Sequence, residues 1–207
     1  MKKLLYTFIA LSIIFSACKK ENDTPYHSVN NNDSELAIGD THQGGIFFYE
    51  FTQEDSGYVA GEIHGLIAAP SDSLFGDTVA SWGCNGTFTG ANGTIIGTGL
   101  ENTEDILSGC PNTGTAAAIC DSLTLEGYDD WFLPSKDELN EMYLNLYIQG
   151  LGGFFTYGDI GTSRYWSSTE YDDGSAWVQN FYDTSFDGFP TQNSKGNMGY
   201  VRAIRTF

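Results

Sequence analysis

Two pairs of aspartates are the residues best suited to holding a metal ion. Asp129 and Asp130 precede a Trp-Phe-Leu run, while Asp172 and Asp173 follow closely after Glu170 and precede a glycine. Carboxylate oxygens suit Ca²⁺, which takes about six to eight oxygen ligands. The spacing does not fit an EF-hand loop, and aspartate is also a common turn and cap residue. We therefore expect turn and cap roles, with a calcium site at these four aspartates as the alternative.

Three tryptophans could form a binding surface for sugars. The rings of Trp131, Trp166 and Trp177 would stack on the faces of sugar units. All three also alternate with polar neighbours, as strand residues do, and a core tryptophan buries about 150–250 Å². The pattern favours core roles and leaves a glycan-binding role open.

Cations are rare in this chain. It has 9 Lys and Arg residues against 27 Asp and Glu residues, and a formal net charge of −18. So acidic a surface repels nucleic acid and anionic lipid headgroups. Salt bridges to the abundant carboxylates are the expected use of Arg202 and Arg205, and Arg202 is also a candidate ligand-binding residue.

Catalytic motifs are not found in the sequence. It contains no G-x-S-x-G, no H-E-x-x-H and no cysteine with an evident histidine base. Two carboxylates could in principle cleave a glycoside, but 27 acidic residues make such pairs inevitable by chance. We therefore predict a protein that is not an enzyme and that needs no cofactor, apart from the calcium alternative.

Strands and turns dominate the segments that must position these residues. The sequence predicts strands at residues 44–51, 65–70, 164–169, 176–182 and 200–205. Asp172-Asp173-Gly174 predicts a hairpin turn between two of them. Residues 81–112 are rich in Gly, Asn and Thr and predict a long ordered loop. With two helices between the strands, the pattern predicts an α+β domain with an antiparallel sheet and long irregular loops.

The second of the two helices has a sharply defined start. The first helix is predicted at residues 113–123, and the second begins after Ser135, which is a typical N-cap residue. Glu138 stands three positions later and would complete a capping box. The apolar positions then recur at i, i+3, i+4 and i+7, which predicts one buried stripe formed by Leu139, Met142, Tyr143 and Leu146.

Four motifs in this order resemble those of a known family. They are DWFLPSKDEL at residues 130–139, YWSST at 165–169, AW at 176–177 and YVRAIR at 200–205. They resemble the DUF1566 family, also called the Legionella collagen-like adhesin C-terminal domain. The resemblance implies a C-type-lectin-like α+β fold over residues 37–207. It also implies an extracellular adhesin or ligand-binding role, with glycans as the leading class of ligand.

The N-terminus has the layout of an export signal. Lys2 and Lys3 precede an apolar run at residues 4–15, which is too short to span a bilayer, because spanning takes about 20 apolar residues. FSAC at residues 15–18 resembles the lipobox of bacterial lipoproteins. We therefore expect a signal peptide at residues 1–17 and, at residues 18–36, a lipidated Cys18 followed by a flexible tether.

These features together predict a cell-envelope lipoprotein. We expect lipid anchoring in the outer membrane, with the domain displayed at the cell surface, where it binds an extracellular glycan or protein ligand. The alternative is a structural or assembly lipoprotein whose domain binds a protein partner. Nucleic acid is not an expected partner.

Three cysteines remain once Cys18 is assigned to lipid. An odd number permits at most one internal bridge in an oxidising compartment. Cys84 and Cys110 flank the Gly-, Asn- and Thr-rich loop that a bridge would help to order, and we expect them to pair. Cys120 is then a buried thiol on the first predicted helix.

Overall fold

Short strands and helices joined by long connections make up the domain. The computed structural model describes residues 36–71, 79–155, 163–181 and 188–207, and the predicted signal peptide and Cys18 lie outside this part of the chain. The strands are β1 Thr41–His42, β2 Gly45–Glu50, β3 Gly65–Ala68, β4 Val79–Ser81, β5 Arg164–Glu170, β6 Ser175–Asn180, β7 Pro190–Ser194, β8 Met198–Tyr200 and β9 Ile204–Thr206. The helices are α1 Gly99–Gly109, α2 Ala116–Asp121 and α3 Lys136–Met142, and a π-helical turn, Tyr143–Tyr147, extends α3.

Two sheets form the framework. The first has the order β1-β2-β3-β9, so the last strand of the chain pairs with one of the earliest. The second has the order β4-β8-β5-β6-β7 and contains one parallel pair, β5 with β8. The predicted α+β class is confirmed, although the antiparallel strands form two sheets and include this parallel contact.

The hairpin between β5 and β6 forms where the sequence predicts it. The two strands pair antiparallel, and Asp172 Oδ1 accepts a hydrogen bond from the N–H of Gly174 at 2.9 Å. The predicted strand at residues 176–182 ends at Asn180, and Tyr182 lies outside the described residues. Asp172 is therefore a turn residue, as its local sequence indicates.

Helix α3 has the predicted capping box. Ser135 Oγ accepts a hydrogen bond from the N–H of Glu138, and the Glu138 carboxylate accepts one from the N–H of Ser135. The whole predicted apolar stripe is buried, namely Leu139, Met142, Tyr143 and Leu146. The stripe continues into the π-helical turn, so the buried face does not end where the α-helix does.

The prediction of an unbroken loop at residues 81–112 was wrong. Helix α1 occupies Gly99–Gly109, so the described part of the chain has three α-helices rather than the two predicted. Its buried face consists of Gly99, Asn102, Thr103 and Ile106, which have the spacing of a helix face but include two polar residues. The sequence therefore lacks the apolar repeat that would predict a helix here, because this helix packs through hydrogen bonds as well as through apolar contacts.

The predicted terminal strand at residues 200–205 is divided between the two sheets. Strand β8 ends at Tyr200 and β9 begins at Ile204. Between them, the carbonyl of Ala203 accepts a hydrogen bond from the N–H of Ala69 at 2.9 Å. The residues between the strands thus carry the chain from one sheet to the other.

Large aromatic side chains fill the core. Trp82, Trp131 and Trp166 are in one buried cluster with Ala116 and Ala117 of α2, and a second cluster gathers around Phe48, Tyr165 and α3. Within the described residues, no helix has the length and apolar character needed to cross a bilayer.

Candidate functional site

An open cleft lies between the turn after β2, the loop before α1 and the start of α3. Its volume is about 570 Å³, and it is lined by residues 54–56, residues 95–98, Glu101 and Asp137. Clefts of roughly 300–1,000 Å³ are typical of small-ligand sites. Carboxylates and two isoleucines share the lining, so the cleft offers both hydrogen-bond acceptors and apolar surface.

The negative charge at the cleft extends to the neighbouring side chains. Asp55 accepts hydrogen bonds from the Tyr49 hydroxyl at 2.9 Å and from the N–H of Thr52 at 2.7 Å. Burial, followed by the bond to Asp55, raises the pKa of Tyr49 to about 12. Burial also raises the pKa of Glu141, and the charges of Asp137 and Asp55 add to that rise. The cleft therefore favours ligands that donate hydrogen bonds.

Buried side chains hold the loop that forms one wall of the cleft. Asn102 of α1 bonds both the N–H and the carbonyl of Gly93, at 2.9 and 2.7 Å. Thr169 of β5 donates to the same carbonyl at 2.7 Å. Because buried backbone groups need such partners, these side chains replace the ladder that a helix or strand would provide. The wall is ordered without regular secondary structure.

A buried ion pair supports the same loop farther upstream. Glu170 accepts hydrogen bonds from the N–H groups of Thr89 and Gly90 at about 3 Å. Its carboxylate also pairs with Lys195, and both side chains are fully buried. The Lys195 ammonium group donates to the carbonyl of Thr87 at 2.8 Å and lies 4.6 Å from the centre of the Trp82 ring. These groups fix the loop to β5 and to the turn after β7.

Glu138 joins α3 to the cleft wall. Its carboxylate accepts hydrogen bonds from the N–H groups of Gly97 at 2.8 Å and Ser135 at 2.7 Å. Ser135 Oγ donates to the carbonyl of Ile95 at 3.0 Å. A Cβ atom on Gly99 would lie 2.2 Å from Glu138 Oε2, so only glycine fits there. Burial raises the pKa of Glu138 to about 7, against the lowering effect of these hydrogen bonds.

An aromatic surface adjoins the cleft at Asp137. Lys136 Nζ lies 3.5 Å from Asp137 Oδ1 and 5.2 Å from the centre of the Trp177 ring. Trp177 is only partly buried. Its ring and the ring of Tyr171 pack edge to face, with 5.5 Å between their centres. Tyr171 is itself 54% exposed. Trp177, Tyr171 and Lys136 together are called the Trp177 patch below.

The other two predicted tryptophans occupy the core. Trp131 is 2% exposed and donates from Nε1 to the carbonyl of Tyr128 at 3.2 Å. Trp166 is fully buried and donates to the carbonyl of Ala80 at 2.9 Å. Neither ring presents a face to solvent, so both have the core role that the alternation favours. Of the three, only Trp177 could stack on a ligand.

Arg202 is also an internal residue. It is 1% exposed, donates to the carbonyls of Ala69 and Gly152 at 2.8 and 2.9 Å, and lies 4.2 Å from the centre of the Phe154 ring. It therefore ties segments of backbone together rather than facing the cleft. Arg205 forms the expected salt bridge, with Asp130.

The predicted calcium ligands are not gathered at one site. Asp129, Asp130, Asp172 and Asp173 are exposed, Asp130 pairs with Arg205, and Asp172 caps its turn. No three His, Cys, Asp or Glu side chains in the described parts of the chain are arranged to hold a metal ion. The salt bridge of Asp130 and the turn bond of Asp172 therefore give these two aspartates structural roles.

The predicted disulfide is present. Cys84 and Cys110 are bonded, with 5.7 Å between their Cα atoms, and the bridge joins the start of the cleft loop to the end of α1. Cys120 is a free thiol in α2, and burial raises its pKa well above the usual range. A thiol in this state is inert rather than nucleophilic.

Sequence reasoning did not find the cleft itself. Glu54 and Asp55 are in a segment with the composition of an ordinary turn, and Asp137 is at a predicted helix start. Glu101 is in the segment that was predicted to be a loop. These residues lie far apart along the chain and meet only in the folded domain. The one local signal was the capping box, which predicts the helix start where Asp137 lies.

Comparison with known proteins does not assign the chain to a family. Neither the family models nor the curated proteins compared with it give a match. The cleft and the Trp177 patch are therefore the features from which a function can be inferred.

Proposed function

We propose that this protein is a cell-envelope lipoprotein that displays a non-catalytic, glycan-binding domain. The observation that carries the proposal is the Trp177 patch beside an acidic cleft of about 570 Å³. An aromatic ring packs against the apolar face of a sugar, and carboxylates accept hydrogen bonds from its hydroxyl groups. The two surfaces meet at Lys136 and Asp137, so one oligosaccharide could contact both.

The shape of the site favours recognition of an extended ligand. The cleft is open, and Ile95 beside the carboxylates is 63% exposed. A well-held loop loses little conformational freedom on binding, which reduces the cost of association. The proposal therefore places one sugar unit on Trp177 and the next units along residues 95–98.

The family resemblance supports the same role. The four motifs of residues 130–205 suggest a DUF1566-like domain, and the two-sheet α+β architecture is compatible with a C-type-lectin-like fold. Trp177 is in one of these motifs and Asp137 is in another. On this proposal, the outer membrane holds the protein through lipid on Cys18, and the domain faces the cell exterior.

Replacing Cys18 with Ser is expected to release the protein from membranes. Each buried methylene of an acyl chain contributes about 0.8 kcal/mol, and a serine cannot receive the thioether-linked lipid. The full chain would be expressed in a Gram-negative host, and its membrane fraction and N-terminal mass would be measured. Cys120→Ala is the matched control and should stay with the membrane. A wild-type mass showing unmodified Cys18, or a retained Met1, would contradict the anchor.

A glycan array is expected to show binding that survives EDTA. The described carboxylates form no group suited to a metal ion, so the proposed contacts need none. The purified domain would be applied to the array with and without EDTA. Binding lost in EDTA would contradict this site and direct mutagenesis to Asp129, Asp130, Asp172 and Asp173.

A protein partner is the second candidate. Ile95 and Leu100 are exposed close to the acidic cleft, and such a surface would suit a partner with basic and apolar side chains. Absence of array binding under both conditions, together with a protein crosslinked to the domain in intact membranes, would favour this structural or assembly role.

A further inference from the structure

An exposed apolar surface lies at the end of α3 that is farther from the cleft. Leu144 is in the π-helical turn and is 43% exposed, and Ile148, which follows that turn, is 38% exposed. Leu151 is 39% exposed, and a Cβ atom on Gly39 would lie 2.9 Å from its Cδ1 atom. Ile38, the neighbour of Gly39, is 42% exposed. These four side chains, Ile38, Leu144, Ile148 and Leu151, are called the Leu151 patch below.

The segment that carries most of the Leu151 patch has no charge. Residues 142–155 contain no Asp, Glu, Lys, Arg or His, although the whole chain has a net charge of −18. Gln149 and Gly150 are exposed between two of the patch residues and are also uncharged. Asp40, two residues after Ile38, is exposed and accepts a hydrogen bond from the N–H of Ala37 at 2.9 Å. The acidic domain can therefore approach a neutral apolar surface here with little charge to desolvate.

The chain enters the domain beside the Leu151 patch. Leu36 is the first described residue, and Ile38 follows two residues later. The sequence predicts a tether at residues 18–36 that starts at lipidated Cys18, and a flexible chain of this length has a mean span of about 20–25 Å. Such a tether would keep the Leu151 patch at a high effective concentration beside the bilayer that holds the lipid.

We propose that the Leu151 patch rests on the lipid bilayer, so that the cleft and Trp177 face away from the membrane. This contact rests on the proposed function, because only the lipid on Cys18 would bring the patch to a bilayer. Lys136 and Asp137, at the other end of α3, border the Trp177 patch and the cleft. The helix and its π-helical turn extend from Lys136 to Tyr147, and a rise of about 1.5 Å per residue separates their ends by roughly 15 Å.

The contact is expected only in the anchored protein. Four side chains that are already more than half buried offer too little apolar area to hold a free protein on a bilayer. The tether removes most of the cost of bringing the two surfaces together, so the same weak contact becomes populated. The patch should therefore be covered in the lipidated protein and open to solvent in Cys18→Ser.

Hydroxyl-radical footprinting of the full chain tests this contact. Lipidated protein in phosphatidylcholine vesicles would be compared with Cys18→Ser mixed with the same vesicles, and side-chain oxidation would be measured by mass spectrometry relative to Ile95. We expect oxidation of Leu144, Ile148 and Leu151 to be at least about threefold lower in the lipidated protein. A difference below about 1.5-fold in protein that floats with the vesicles would overturn the proposal. Protection that grows with the protein-to-lipid ratio would assign the patch to a second copy and would also overturn it.

Two isoleucine variants show whether the patch itself makes the contact. Ile148→Asp should restore oxidation of Leu144 and Leu151 to within about 1.5-fold of the Cys18→Ser level, although the protein still floats with the vesicles. Ile63→Asp places the same charge on an isoleucine that is 42% exposed in the connection between β2 and β3, and protection should persist. Protection lost in both variants, or kept in both, would overturn the proposal.

Flotation and the mass of Cys18 report separately on the lipid anchor. Protein without lipid would remove the anchor and the membrane contact together, whereas anchored protein with an oxidised Leu151 patch would remove only the contact. Array binding remains an independent test of the glycan role.

Discussion

Replacing Lys195 with Met is expected to lower the free energy of unfolding by about 3–5 kcal/mol. Lys195 and Glu170 are both fully buried, so the substitution leaves a carboxylate in the interior without its cation. The bond to the carbonyl of Thr87 and the contact with the Trp82 ring are lost as well. The hydrogen bonds from Thr89 and Gly90 satisfy the remaining carboxylate only in part.

Urea denaturation of the purified domain would measure this loss. Lys136→Met is the matched control, because Lys136 is partly exposed and its pairing with Asp137 should contribute less than about 1 kcal/mol. The double variant Lys195→Met, Glu170→Gln should lose less than the two single variants added together, since it removes both charges. A loss below about 1 kcal/mol in Lys195→Met would show that the ion pair does not support the loop.

On the proposed function, the ion pair also bears on glycan binding. Glu170 holds residues 89 and 90, Asn102 holds Gly93, and Glu138 holds Gly97, so the cleft loop is fixed at successive points along its length. A loop held in this way is preorganised, and little conformational freedom remains to be lost when a ligand binds. If the proposed site binds a glycan, its affinity therefore depends on the same segment that the buried ion pair holds in place.

Local chemistry made several elements predictable from sequence. Ser135 and Glu138 form a capping box within four residues, and the Asp-Asp-Gly turn specifies its hairpin in the same way. The Cys84–Cys110 bridge could be inferred because the chain has few cysteines and these two flank one loop. In each case the interacting groups lie close in sequence or have few alternatives.

Long-range pairing explains what could not be predicted. Helix α1 was missed because Asn102 and Thr103 occupy its buried face and bond to Gly93 and Leu133, partners that the sequence alone does not indicate. The partners of Glu170, namely Lys195 and the loop at residues 89–90, are likewise distant along the chain. Polar residues buried through distant partners give no apolar pattern to detect.

Replacing Trp177 with Ala is expected to weaken glycan binding by about 30-fold or more, which corresponds to roughly 2 kcal/mol. Trp177 is the one predicted tryptophan whose ring is partly exposed, and it stands beside Lys136 at the end of the cleft. Removing the ring takes away the apolar platform and leaves the carboxylates of the cleft in place. Because the side chain lies at the surface, the fold should survive the change, and a thermal melt would verify this.

Isothermal titration of wild type and Trp177→Ala with the strongest glycan from the array would measure the contribution of the Trp177 ring to binding. Met198→Ala is the control, since Met198 is 58% exposed on β8, two strands away from Trp177 in the same sheet. If Trp177 binds glycan, affinity should fall about 30-fold in Trp177→Ala and change less than about twofold in Met198→Ala. Unchanged affinity in a folded Trp177→Ala protein would contradict this role.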